Sequence, residues 1–218
     1  MYRLHYLSRV NRLFRFGFGD RNSVGYYRNN YFRSRKKNFS HVKAYGNLSI
    51  LLDNKFKLTE KRISLFDNQP FGISPGKIKK IYGRPNYKTY VNNYSVEILI
   101  LFYRVDVGGI NGQLELHFSG KELFLYNYTF FDMDKGKYAM VKNIFETKYL
   151  QYGTVDFSSE VIKDKNGAVI FLEDELYLSL TYINNCDFIR GIPTYVEREN
   201  EKIKEKLISN KKEIYRKL

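Results

Sequence analysis

Glu115 and His117 stand two residues apart in Gln113-Leu114-Glu115-Leu116-His117-Phe118, a spacing that sets a carboxylate beside an imidazole on one face of a strand. Such a pair is the smallest unit of general acid–base chemistry. No nucleophile or second carboxylate has a sequence-determined place next to it, so an ordinary polar sheet face is the preferred reading. On that reading Gln113, Glu115 and His117 are accessible, and Leu114, Leu116 and Phe118 are buried. Other candidates carry less. His5 and His41 are too scattered to join His117 in a local metal site. Asp132 and Asp134 open FDMDKG as a calcium loop would, but Asn143 stands where the closing Glu belongs. Gly76-Lys77 lacks the spaced glycine and the Ser or Thr of a phosphate loop. Glu173-Asp174-Glu175 reads as a solvated hairpin tip. The lone Cys186 excludes an intramolecular disulfide and a Cys-rich zinc site, and reads as a packed thiol. No cofactor or metal is expected, and the chain is not expected to be an enzyme.

A second chemistry lies in the charge distribution. The 218 residues carry a net charge of +14. Residues 1 to 40 hold ten Lys or Arg against one acid and residues 201 to 218 hold seven against three, which leaves +1 for residues 41 to 200. The basicity belongs to the ends. In the first arm Arg9, Arg12 and Arg15 interleave with Leu and Phe in a basic amphipathic stretch suited to an anionic surface. Arg28, Arg33, Arg35, Lys36 and Lys37 then alternate with Tyr27, Tyr31 and other aromatics among Gly, Asn and Ser. Cations that neutralise phosphates, beside rings on which bases stack, are what single-stranded nucleic acid requires. A solvated arm of no particular chemistry is the competing reading. The Arg-rich, acid-free start is also compatible with organellar import, while the apolar core of a secretory signal is missing, so a cytoplasmic protein is favoured over a secreted one.

These residues need elements to position them. Val96 to Phe131 reads as a three-stranded antiparallel meander, turning at Asn111-Gly112 as a type I′ hairpin and again at Ser119-Gly120. In its third strand Phe124, Tyr126, Tyr128 and Phe130 alternate with Leu123, Leu125, Asn127 and Thr129; core packing is favoured over base stacking for the aromatic ladder. Strands are expected around Leu48 to Leu52 and Arg62 to Phe66. Ser74 as N-cap, Pro75 at the first position and Gly83 beyond the end delimit a helix with Ile78, Ile81 and Tyr82 inward and Lys77, Lys79 and Lys80 outward. Lys137 to Leu150 reads as a second amphipathic helix, with Met140, Val141, Ile144, Phe145 and Leu150 at helical spacing. Strands around Val155 to Lys163, Ala168 to Leu172 and Leu176 to Ile183 follow, turning at Asn166-Gly167. Beyond Pro193, Ile203, Leu207, Ile214 and Leu218 line one side of a charged helix expected to dock on the body.

The segment Ile73-Ser74-Pro75-Gly76-Lys77-Ile78-Lys79-Lys80-Ile81-Tyr82-Gly83-Arg84-Pro85, followed by the meander, resembles the helix, Gly-x-Pro and strands of the beta-lactamase-inhibitor-protein-like and SmpA/OmlA folds. The resemblance covers residues 73–131, with a fainter echo at 137–183, and implies a non-catalytic binding sheet without transferring any functional residue. The expected architecture is therefore α+β: a basic arm at 1–40, a body at 41–193 built of two consecutive αβββ units (73–131 and 137–183), and a charged helix at 194–218. The expected function is non-catalytic binding of an anionic partner through the arm, with RNA or a ribonucleoprotein favoured and DNA or a membrane surface the next options. A protein-binding adaptor acting through the sheet face or the C-terminal helix is the alternative, and an enzyme using His117 and Glu115 ranks third.

Overall fold

The computed structural model describes residues 43–65, 69–93, 96–131, 133–151, 153–174 and 177–217. In chain order they form α1 (Lys43–Ile50) with a 3₁₀ turn (Leu51–Asp53), β1 (Phe56–Thr59), α2 (Pro75–Tyr82), β2 (Tyr87–Asn93), β3 (Val96–Val107), β4 (Ile110–Ser119), β5 (Glu122–Phe130), α3 (Lys135–Leu150), β6 (Val161–Asp164), β7 (Val169–Asp174), β8 (Leu178–Ile183) and α4 (Asp187–Lys217). The chain is α+β, but its strands make one eight-stranded sheet in the order β1-β6-β7-β8-β5-β4-β3-β2. Two separate αβββ units are therefore not formed. Four strands, not three, follow α2, and the last strand of each group pairs with the other: β5 lies antiparallel to β8, with Tyr126 opposite Tyr182 and Tyr128 opposite Leu180. Fusing the two groups removes two edges that would otherwise expose unpaired backbone. Among the described residues only β1 with β6 is a parallel pair.

One face of the sheet holds the main apolar core. Leu101, Leu114, Leu116, Phe118, Tyr126, Tyr128, Ile170 and Tyr182 pack there with Ile78 of α2 and Phe145 and Tyr149 of α3. Tyr126 stacks on Tyr182 with ring centroids 4.3 Å apart. The aromatic ladder of β5 is thus core, as its composition favoured. Both helices begin as their caps dictate: the Ser74 hydroxyl accepts from Lys77 N at 3.4 Å, and the Asp134 carboxylate accepts from Lys137 N at 2.8 Å. That bond holds the Asp134 pKa below its ordinary value. Asp134 therefore serves as the cap of α3; Asp132 lies outside the described residues. The buried stripe of α3 is Tyr138, Val141, Phe145 and Tyr149, while Met140 and Ile144 are exposed, as is Ile81 on α2. Large rings at i, i+7 and i+11, with Val141 at i+3, bury more surface than the competing Met–Ile stripe.

Several local expectations give way. Leu48 to Leu52 is the end of α1 and its 3₁₀ turn rather than a strand, because the fully buried Tyr45 anchors that helix to the sheet. Arg62 to Ser64 is irregular and Leu65 makes only an isolated bridge to Gln69, Phe66 lying outside the described residues. Ile63 N instead donates to Asp164 Oδ2 at 2.9 Å, and Asn166 N and Ala168 N donate to Asp164 Oδ1, so one buried carboxylate ties this segment to the β6–β7 turn. β6 begins only at Val161, and β2 is a strand that turn chemistry did not announce. The hairpin after β3 turns at Gly108-Gly109, with φ of 61° and 82°, and not at Asn111-Gly112. Two glycines supply both positive φ angles without a Cβ penalty. Pro193 lies inside α4, which starts six residues earlier at Asp187.

Gly112, released from the turn, sits within β4, where a Cβ would stand 2.9 Å from the Thr129 carbonyl oxygen and 3.0 Å from the Phe130 ring. Gly46 in α1 faces open space. Gly112→Ala is therefore expected to cost about 1–3 kcal/mol by overpacking, and Gly46→Ala to add about 0.5–1 kcal/mol by relieving a helix-interior glycine. Urea denaturation of the two variants beside the parent checks both signs.

Candidate functional site

The second face of the sheet is apolar at its flanks and polar in its middle. Cross-strand partners share a face. Gln113, Glu115 and His117 of β4 lie opposite Thr129, Asn127 and Leu125 of β5, and Asn127 and Thr129 lie opposite Thr181 and Ser179 of β8. The meander was expected to expose the β4 residues. Instead Gln113 is 3% exposed and Glu115 and His117 are each 0% exposed. The alternation was right, but a second layer covers the polar face: Tyr45 of α1 contacts His117 and Phe124, and Phe188 of α4 packs on Phe124 at 4.6 Å between centroids.

Phe124 reaches that layer because of a β-bulge. The register shifts between His117 and Phe118, so that Phe118 faces Leu123 and His117 faces Leu125. The extra residue, Phe124, turns away from the main core and meets the His117 ring edge-on. Leu123 joins the core in its place. Strict alternation along Glu122 to Phe131 assigns these two residues to the wrong faces. The aromatic assignment holds for Tyr126, Tyr128 and Phe130.

Two series of polar side chains run through the stripe. Gln113 Nε2 donates to Glu115 Oε1 at 2.9 Å, Glu115 Oε2 stands 3.5 Å from His117 Nε2, and His117 Nδ1 lies 2.9 Å from the Tyr45 hydroxyl. Beside them Asn127 Nδ2 donates to Thr181 Oγ1 at 2.6 Å, and Thr129 Oγ1 donates to Asn127 Oδ1 at 2.9 Å. The acid and the imidazole that the sequence places together are brought together, and each is engaged by further side chains. Chemically, a carboxylate–imidazole–phenol series can hold and redistribute a proton. As arranged it is sealed from solvent, with Glu115 and His117 each fully buried. Tyr45 is the member that sequence reasoning missed. It lies 72 residues from His117, ahead of the stretch that reads as a strand.

A cleft of about 460 Å³ opens elsewhere, lined by Ser49, Ile50, Leu52, Asp53, Lys163, Asn185, Arg190 and Pro193. Lys163 Nζ donates to the Leu52 carbonyl at 2.9 Å and stands 4.9 Å from the centre of the Phe56 ring. Arg190 Nε donates to Asn185 Oδ1 at 2.9 Å. Both cations are thus tied to the protein's own acceptors. Burial pushes the half-buried Cys186 thiol up, which disfavours its thiolate. Among the described residues no three His, Cys, Asp or Glu side chains gather as a metal site needs. Arg9, Arg12, Arg15, Arg28, Arg33, Arg35, Lys36, Lys37, Tyr27 and Tyr31, like His5 and His41, lie outside the described residues. Among those described, no helix is long and apolar enough to cross a membrane. Comparison of the chain with protein-family models, with curated proteins and with solved structures finds no match.

The phenols of the interior carry a pH signature. Burial, and for Tyr45 the nearby Glu115 charge as well, raises the pKa of Tyr45, Tyr126 and Tyr182 well above the ordinary 10. Tyr103 and Tyr149 are pushed up to about 12, again by burial first. In the unfolded chain the same phenols ionise near 10. Between the two values the unfolded state has lost protons that the folded state keeps. Stability is therefore full below pH 10 and falls as the pH rises through the folded values. Denaturant titrations at rising alkaline pH, read with phenolate absorbance, should show phenolate appearing together with unfolding. Tyr45→Phe keeps the ring contacts and removes the hydroxyl from His117 Nδ1, at an expected cost of about 1–3 kcal/mol in the same assay at neutral pH.

Proposed function

We propose that this protein is a non-catalytic binding protein in which a nearly neutral α+β body presents a basic, aromatic arm to an anionic partner, RNA or a ribonucleoprotein. The observation that carries this reading is the segregation of charge: residues 1 to 40 hold a net +9, against +1 for residues 41 to 200. A body folded around its own apolar and polar interior needs no such excess for stability, since like charges repel. Within the arm, Arg28, Arg33, Arg35, Lys36 and Lys37 offer phosphate contacts, and Tyr27 and Tyr31 offer stacking surfaces. Arg9, Arg12 and Arg15 extend the same chemistry toward the start. The burial of Glu115 and His117 supports the non-catalytic half of the reading, because neither side chain meets a substrate where it stands. The body then acts as the holder of the arm, in keeping with the binding sheet that a helix followed by a meander implies.

The two parts of the arm chemistry separate experimentally. In full-length protein, changing Arg28, Arg33, Arg35, Lys36 and Lys37 to Ala should weaken binding to single-stranded RNA at low salt. It should also flatten the slope of log affinity against log salt by up to about 3.5, at roughly 0.7 for each phosphate that is no longer neutralised. Tyr27→Ala with Tyr31→Ala should weaken binding by about 1–3 kcal/mol per base stacked while leaving that slope unchanged. Fluorescence anisotropy across a salt series measures both; wild-type affinity and slope in the five-site variant would exclude the arm as the contact.

A further inference from the structure

The last helix has two halves with opposite surroundings. Its foot is docked: Ile189 and Ile192 are fully buried and Phe188 packs on Phe124. From Asn200 to Lys217 every residue is exposed. That length is about 27 Å of helix at 1.5 Å per residue. Most helical stability in proteins comes from packing of an amphipathic face, and among the described residues this half has none. Yet the exposed half keeps an ordered apolar pattern. Ile189, Pro193, Val196, Asn200, Ile203, Leu207, Asn210 and Ile214 follow one another at alternating spacings of four and three. This is the repeat of a coiled-coil seam. The pattern that starts at the buried Ile189 thus continues along the exposed half, with Leu207 62% and Ile214 59% exposed.

The residues flanking the exposed seam are Lys204, Lys206, Lys211 and Glu213. Three of the four are cations, and flanking charges choose the partner. A second copy fits poorly. In parallel register Lys206 meets Lys211 of the other helix. In the antiparallel register that stacks Ile203 on Ile214, Lys204 approaches Lys211 while Lys206 approaches Glu213, so the charges offset, but Leu207 then faces the polar Asn210. A membrane surface fits poorly as well, since Lys204 and Lys211 separate the seam from the other exposed apolar residues, Ile208 and Tyr215, and leave no wide continuous apolar face.

We infer that residues 200–217 are one strand of a heterotypic coiled coil whose partner is an amphipathic helix with acidic residues flanking its apolar seam. Asn200 and Asn210 fix the register by requiring polar groups opposite them. This partner is additional to the polyanion proposed for the arm. It contacts the other end of the chain.

The test uses full-length protein and two synthetic helical peptides with the same Ile and Leu seam and one seam Asn, one peptide with Glu at every flanking position and its twin with Lys. The Glu peptide should bind, and the Lys twin at least about tenfold more weakly. Leu207→Asp and Ile214→Asp should each weaken the Glu peptide by about tenfold or more. These side chains touch no core, so the variants should keep the parent's thermal unfolding and serve as folded controls. Equal binding of the two peptides, or binding untouched by both variants, would overturn the proposal. A dimer in light scattering without peptide, or partition onto phosphatidylserine vesicles, that the same variants abolish would overturn it as well, in favour of self-association or a membrane.

Discussion

β4 is covered on both faces, and each polar side chain it carries must therefore be matched inside the protein. The desolvation of an unmatched carboxylate or imidazole would cost several kcal/mol, so the position of every neighbouring strand is constrained by this one. Leu114, Leu116 and Phe118 point into the aromatic core, while Gln113, Glu115 and His117 point into the polar stripe. A slip of one residue would exchange the two sets completely. The stripe extends the constraint sideways, because Asn127 and Thr129 bond to each other and Asn127 reaches Thr181. The same pairing that fuses the two strand groups, β5 on β8, thus carries polar matching on one face and Tyr126 stacked on Tyr182 on the other. Register is fixed twice over at that seam.

The outer layer answers to the same requirement. α1 is short and modestly amphipathic, and its one fully buried aromatic, Tyr45, brings both a ring for Phe124 and a hydroxyl for His117. The bulge that turns Phe124 outward gives that ring its site, and Phe188 extends the contact into α4. The foot of α4 is in this way tied to the polar stripe. The remainder of the helix projects with its seam uncovered. The interior uses its polar groups for specificity, and the cations are concentrated at the two ends of the chain.

Several elements were legible because they rest on local signals. The alternation of Leu114 to Phe118, the cap at Ser74 and the glycine of the β6–β7 turn each follow from period, side-chain oxygen or positive φ. Signals that compete locally were less decisive. Gly108-Gly109 and Asn111-Gly112 both satisfy a tight hairpin, and the choice between them falls to the space that Gly112 leaves for Thr129 and Phe130. Tyr87, Thr89 and Val91 carry a strand alternation that no turn residue announces, and Leu48 to Leu52 carries strand-like residues in a helix anchored from outside.

The sequence by itself determined the antiparallel meander, the helix starts, the adjacency of Glu115 to His117 and the placement of net charge at the ends, because each depends on residues close together in the chain. Only the tertiary structure decided that the two strand groups are one sheet, that the polar face is buried and that Tyr45 meets His117 there. Those outcomes depend on what covers a face, and a strand's own alternation distinguishes two sides without saying which of them meets water. The acid–base pair that looked like a surface feature is, for that reason, an interior one.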